Sequence, residues 1–198
     1  MNHAHLRRYV AEGIAVFFLT LAVSLAIANQ FPLTPVLAAL VLGMFVYTVG
    51  PISGAHVNPA VTLGLWSAGK IKKTDALLYI VAQLLGAVLA YLLSMVITGQ
   101  QPGWTVDNAP LVGLGEFLGA FLLVFGVSAV AHGRVREGAS GVVVGGSLLM
   151  GITVTSGMSA GILNPAVALG VGSVSVMYLV APLIGGILAA QLYAWLSA

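Results

Sequence analysis

No cysteine occurs in the 198 residues, which removes disulfides, thiol catalysis and soft-metal sites and says little about compartment. Charge is nearly as scarce: seven Lys and Arg and five Asp and Glu make up 6% of the chain. The acidic residues are scattered, so neither a nucleophile with its base nor a ligand cluster can be assembled, and no catalytic residue, metal or cofactor is expected. A nucleotide-binding glycine loop is also missing, which excludes ATP-driven transport within this chain. Nucleic acid is not expected as a partner. Nor is a removable leader, because the first apolar run lacks a small-residue cleavage site and reads as a membrane helix that stays.

What remains is apolar. Hydrophobic residues are 60% of the chain and the mean hydropathy is +1.08, too little polar surface for a soluble globule. Runs at 9–29, 35–50, 74–98, 110–132, 139–157 and 174–197 suit helices crossing a hydrocarbon core of about 30 Å. Six spans are therefore expected, the second and fifth with uncertain ends. Arg7 and Arg8 precede the first, Lys70, Lys72 and Lys73 follow the second, and Arg134 and Arg136 follow the fourth. All seven basic residues fall on one side, which the positive-inside rule makes cytoplasmic. An even number of spans across a cell membrane puts both termini on the cytoplasmic side. The outer connections around 30–34, 99–109 and 158–173 contain no Lys or Arg.

The chain also reads as a duplication. Glu12 in "AEGIAVFFL" and Glu116 in "GEFLGAFLL" sit early in the first span of each half, and Asn58 and Asn164 follow 46 (12 to 58) and 48 (116 to 164) residues later. "SGAHVNPAVTLGLWSAGK" from Ser53 is answered by "SAGILNPAVALGVGS" from Ser159, and "AQLLGAVLA" from Ala82 by "APLIGGILA" from Ala181. Three spans per half turn the second copy upside down. The expected architecture is all-α: one membrane domain over 1–198, made of two inverted repeats at about 1–99 and 107–198, with a transport site near the midplane.

Asn is a strong N-cap and Pro suits the first helical position, so each Asn-Pro-Ala-Val starts a re-entrant half-helix of about ten residues. Non-helical backbone before it is tolerated at membrane depth only where it is buried or lines a watery path. Two such half-helices would meet at the bilayer centre, their positive ends facing. A capping Asn spends its carbonyl on backbone N–H groups and leaves its amide NH₂ to donate to a passing solute. An ordinary cap in a loop would account for one copy, but hardly for two at symmetric positions.

On these motifs the sequence resembles the aquaporin, or major intrinsic protein, family over essentially its whole length, with the early glutamates and Gln83 also in place. The resemblance implies a passive channel for water or small neutral solutes, a homotetramer in membrane lipid with one pore per subunit. It implies Asn58 and Asn164 as the solute-contacting pair and Pro59, Ala60, Pro165 and Ala166 as the residues that lock them. Carbonyls of the extended stretches Gly54, Ala55, His56, Val57 and Ala160, Gly161, Ile162, Leu163 would form the acceptor ladder. The family's second motif is normally followed by the arginine of a narrow filter, and here Val167 stands there, followed by Ala168 in place of the Asp of glycerol facilitators. Ungapped spacing places the other filter positions at Ala38, Ile152 and Gly161. Such a filter is wide and apolar, which suits glycerol-sized solutes, ammonia and dissolved gases as well as water.

Glu12 and Glu116 are intramembrane carboxylates; their symmetry favours accepting hydrogen bonds from the re-entrant loops over relaying protons. His56 is expected to brace its loop. His3 and His5 read as a flexible tail, and His132, Arg134, Arg136 and Glu137 as a solvated connector. Gly115 with Gly119 and Gly141 with Gly145 let helices approach closely. The alternative function is an ion- or proton-conducting channel or coupled transporter on the same scaffold, motivated by the missing filter arginine.

Overall fold

The computed structural model describes residues 3–100 and 107–198, and all regular structure among them is helical. Residues 101–106 of the expected outer connection lie outside the described residues. The helices are α1 (His3–Ala28), α2 (Thr34–Thr48), α3 (Gly50–Ser53), α4 (Pro59–Ser67), α5 (Lys73–Thr98), α6 (Pro110–Ala131), α7 (Ser140–Thr155), α8 (Pro165–Gly170) and α9 (Val176–Leu196). Five segments are long and apolar enough to cross a membrane: α1, α5, α6, α9, and α7 together with the 3₁₀ turn that precedes it. The sixth expected span, α2, has 15 residues, about 22 Å at 1.5 Å per residue. It pauses at Val49 because Pro51 has no N–H to continue the ladder, and α3 adds one turn that ends on the left-handed Gly54 (φ +91°).

Apart from α3 in the first half and the 3₁₀ turn before α7 in the second, the halves present the same order of helices. Within the first, α1 packs on α5; within the second, α6 packs on α9; α2 and α7 join them. The short helices are exchanged, since α4 lies on α9 and α8 lies on α5. Polar and apolar residues are distributed for a lipid solvent. Leu6, Val10, Ile14 and Phe18 face outward at four-residue steps along α1, while Glu12, Gln83 and Glu116 are fully buried, where each polar group must find its partner inside the protein.

Close approach at the α4–α9 crossing depends on two glycines. A Cβ on Gly64 would stand 2.7 Å from the Gly186 carbonyl oxygen and 3.0 Å from Val124, and one on Gly186 would stand 2.6 Å from the Ala60 oxygen. Backbone atoms cannot rotate aside, so Gly64→Ala is expected to cost about 1–3 kcal/mol through overpacking. A thermal midpoint in detergent lower than wild type, with Gly138→Ala as the control because none of the described residues would come within 4 Å of a Cβ there, is the measurement that checks it.

Candidate functional site

The two stretches before the half-helices are twisted rather than plainly extended, correcting the sequence expectation. Gly54, Ala55 and Val57 have φ of +91°, +49° and +53°, and Gly161 and Leu163 have +65° and +57°. For Ala, Val and Leu the left-handed region costs roughly 1–2 kcal/mol per residue, so something must hold them there. In the first half it is Glu12, whose Oε1 accepts from His56 N–H (2.9 Å) and Ser53 Oγ (2.7 Å) and whose Oε2 accepts from Val57 N–H (2.7 Å) and Gln83 Nε2 (2.8 Å). In the second it is Glu116, which accepts from Ser159 Oγ (2.9 Å), Ile162 N–H (3.0 Å) and Leu163 N–H (2.6 Å).

Asn58 and Asn164 have extended backbones and cap the two short helices. Asn58 Oδ1 accepts from Ala60 N–H at 2.8 Å, and Asn164 Oδ1 accepts from Ala166 and Val167 N–H at 3.0 and 3.3 Å. Their amides then cross between halves: Asn58 Nδ2 donates to the Leu163 carbonyl and Asn164 Nδ2 to the Val57 carbonyl, each at 2.9 Å. Val57 and Leu163 are thus gripped at the N–H by a glutamate of their own half and at the carbonyl by an asparagine of the other. The sequence reading left the whole NH₂ free for a solute; one hydrogen of each amide is already spent on this brace.

Two cavities lie along the path, one bordered by the brace, and they share His56, Val127 and Val144. One, of about 270 Å³, is bordered by Ala38, Val57, Asn58, Ile152, Ala160, Gly161, Ile162, Asn164 and Val167, and reaches Thr34 and Ser156 at the end remote from the basic residues. The four expected filter positions therefore border the same cavity. The other, of about 720 Å³, is bordered by Gly54, Ala55, Arg8, Lys70 and Glu137 at the basic end. His56 borders both. Leu163, expected in the acceptor ladder, borders neither; Pro59, Ala60, Pro165, Ala166 and the two glutamates also stand behind the walls.

A family model described as major intrinsic protein matches residues 1–193. The chain belongs to the major intrinsic protein family. It is 33% identical to "Aquaporin Z" of Bradyrhizobium diazoefficiens over 97% of this chain and 94% of that one. It is 34% identical to "Nodulin-26" of Glycine max over 95% of this chain and 77% of that one. A solved structure of "the aquaglyceroporin from Plasmodium falciparum" superposes with a TM-score of 0.74 at 23% identity, covering 96% of each chain, which shows a shared fold. Members of the family are passive channels and not enzymes, so this chain is a multi-pass membrane channel.

Several residues that position the loops of this major intrinsic protein were not singled out from sequence. Ser53 and Ser159 bridge glutamate to loop: their hydroxyls donate to Glu12 and Glu116 and accept from Ala55 and Gly161 N–H at 3.1 and 3.0 Å. Their signal was present, since both quoted repeats begin on Ser. Tyr79 is fully buried; its hydroxyl donates to the Ser53 carbonyl (2.7 Å) and accepts from Arg8 Nε (2.9 Å), while Arg8 Nη1 (3.1 Å) and the Tyr9 hydroxyl (2.7 Å) donate to Asp75. His5 lies 3.5 Å from Asp75 within α1, so it belongs to this strut and not to a loose tail. His132 is 2.8 Å from the Ser128 carbonyl, and Arg134 donates to the Ser197 carbonyl at 2.9 Å, tying the connector to the end of α9.

Proposed function

We propose that this channel passes water and small neutral solutes, glycerol-sized molecules, ammonia and gases among them, through the two cavities, with Asn58 and Asn164 as the central donors. The observation that carries this reading is the shared wall: Ala38, Ile152, Gly161 and Val167 border one continuous 270 Å³ space together with both asparagines, and none of the four brings a charge or a side-chain donor. A wall of this kind lowers the penalty for carbon-bearing solutes and leaves orientation to the remaining amide hydrogens and backbone carbonyls. The names of the relatives, aquaporin and aquaglyceroporin, support the same substrate class. On this reading the halves are inverted repeats of one domain, the basic end and both termini are cytoplasmic, and four chains assemble in lipid with one pore each. Placement of both glutamates behind the walls favours passive conduction over proton-coupled transport.

Stopped-flow shrinkage of proteoliposomes under an osmotic step, with an entrapped pH dye, tests the proposal. Water or glycerol flux well above that of empty vesicles, without a pH change, is expected; flux equal to empty vesicles with folded, inserted protein would overturn it. Restoring the missing charge gives a sharper expectation. Val167→Arg puts a guanidinium into the apolar cavity, narrowing it and demanding a hydrogen-bonding solute, so glycerol uptake should fall roughly ten-fold, equivalent to about 1.4 kcal/mol of added barrier. Unchanged uptake of every solute tested would remove Val167 from the filter.

A further inference from the structure

We infer that the point which sets solute size in this channel lies at His56, Val127 and Val144, toward the basic end from the asparagine pair, and not at Ala38, Ile152, Gly161 and Val167. The inference rests on the reading of the two cavities as one conduction path. The expected filter positions line a space that runs unbroken from Thr34 and Ser156 to Asn58 and Asn164. The break comes later: among the described residues, His56, Val127 and Val144 alone border both cavities, and all three are buried.

Three elements converge there. Val127 comes from α6 and Val144 from α7, both in the second half, and His56 from the twisted stretch of the first. The ring cannot swing aside. Its Nδ1 is 3.2 Å from Thr62 Oγ1, its backbone N–H is on Glu12, Tyr79 stands edge-on at 5.1 Å, and left-handed Ala55 and Val57 flank it. Thr62 Oγ1 donates to the Asn58 carbonyl and accepts from Gln83, so the neutral ring meets it as an Nδ1–H donor and Nε2 is left as an acceptor. The side chains of Val127 and Val144 and the His56 ring then form the neck. A solute entering it gives up most of its hydrogen bonds, and one methyl group on either valine decides what passes, because a hydrophobic constriction discriminates by about ten-fold or more per methylene.

The experiment compares water, glycerol and the four-carbon polyol erythritol in proteoliposomes of wild type, Val144→Ala, Val127→Ala, Val144→Ile and Ile152→Ala. The expected result is a rise of roughly ten-fold in the erythritol-to-glycerol flux ratio with Val144→Ala or Val127→Ala, a fall with Val144→Ile, and a smaller change with Ile152→Ala. A ratio moved more by Ile152→Ala than by any valine variant places the limiting point at the other end and overturns the inference. So does a ratio unmoved by all three valine variants while wild type conducts. Wild-type flux of all three solutes at the level of empty vesicles overturns the conduction path itself, and the neck with it.

Discussion

Glu12→Gln is expected to destabilise the protein by about 3 kcal/mol and to slow osmotic shrinkage in proportion to the folded protein lost. The carboxylate receives four donors, two of them backbone N–H groups of adjacent residues, one on each oxygen. Glutamine has one carbonyl oxygen and one NH₂, so either orientation turns a donor toward the N–H of His56 or of Val57. Partial repair is available elsewhere. Ser53 can rotate toward the Val49 carbonyl at 3.4 Å, and Gln83, whose Oε1 is buried with no partner among the described residues, can turn over. Neither movement recovers a backbone N–H. A buried N–H left without a partner costs about 1–3 kcal/mol, and bonds to a charged acceptor are worth about 1.5–3 kcal/mol each. Ser53→Ala removes one hydroxyl donor from Glu12 and the acceptor of the buried Ala55 N–H, and should cost less than Glu12→Gln, about 1–2 kcal/mol. Thermal midpoints in detergent rank the two, and a midpoint for Glu12→Gln equal to wild type would take the carboxylate out of the brace. A proton current in wild type that vanishes in a fully folded Glu12→Gln protein would instead place Glu12 on a conduction path.

Composition and spacing carry the class of the fold because a bilayer forces it: backbone can cross only as helix, and the apolar runs count the helices. The interruption at Val49 was also written in the chain, as Pro51, but its consequence for helix length depends on the ladder it breaks. Other features depend on partners over a hundred residues away. The packing of α4 onto α9 depends on the close approach of Gly64 to Gly186, and that of α8 onto α5 on the approach of Gly170 to Ala87, and glycines are too common in membrane helices to announce their contacts. The left-handed Val57 and Leu163 have no local signature, since valine and leucine avoid that region and are held in it by Glu12, Glu116 and the opposite asparagines. Val127 and Val144 were invisible for a simpler reason: a valine in a uniformly apolar helix looks the same whether it faces lipid, a neighbour or a cavity. Spacing pairs Glu12 with Glu116 and Asn58 with Asn164, and only the structure says which atoms they hold.

Asn164→Asp should both loosen the brace and admit cations, and its contrast with Asn164→Ala separates the two effects. The aspartate keeps an acceptor for Ala166 and Val167 N–H, so the cap survives. Its second oxygen, however, replaces the donor that stood 2.9 Å from the Val57 carbonyl, and two acceptors then face each other. Val57, still left-handed, would be held only at its N–H, and the loss is expected to reach about 2–3 kcal/mol. At the same time a negative charge appears on a wall that otherwise carries no Asp, Glu, Lys or Arg. A cation within about 4 Å of it gains on the order of 4 kcal/mol at an effective dielectric near 20, enough to offset part of its dehydration. The pH-dye trace should then show a leak at least ten-fold above wild type. Asn164→Ala loses both the cap and the crossed bond, at about 1 kcal/mol each, yet adds no charge and is expected to stay tight to protons. Equal leaks from the two variants would mean that the amide itself holds cations out; a leak confined to aspartate would mean that the neutrality of the wall does so, and that a channel without a filter arginine needs no positive charge on its path.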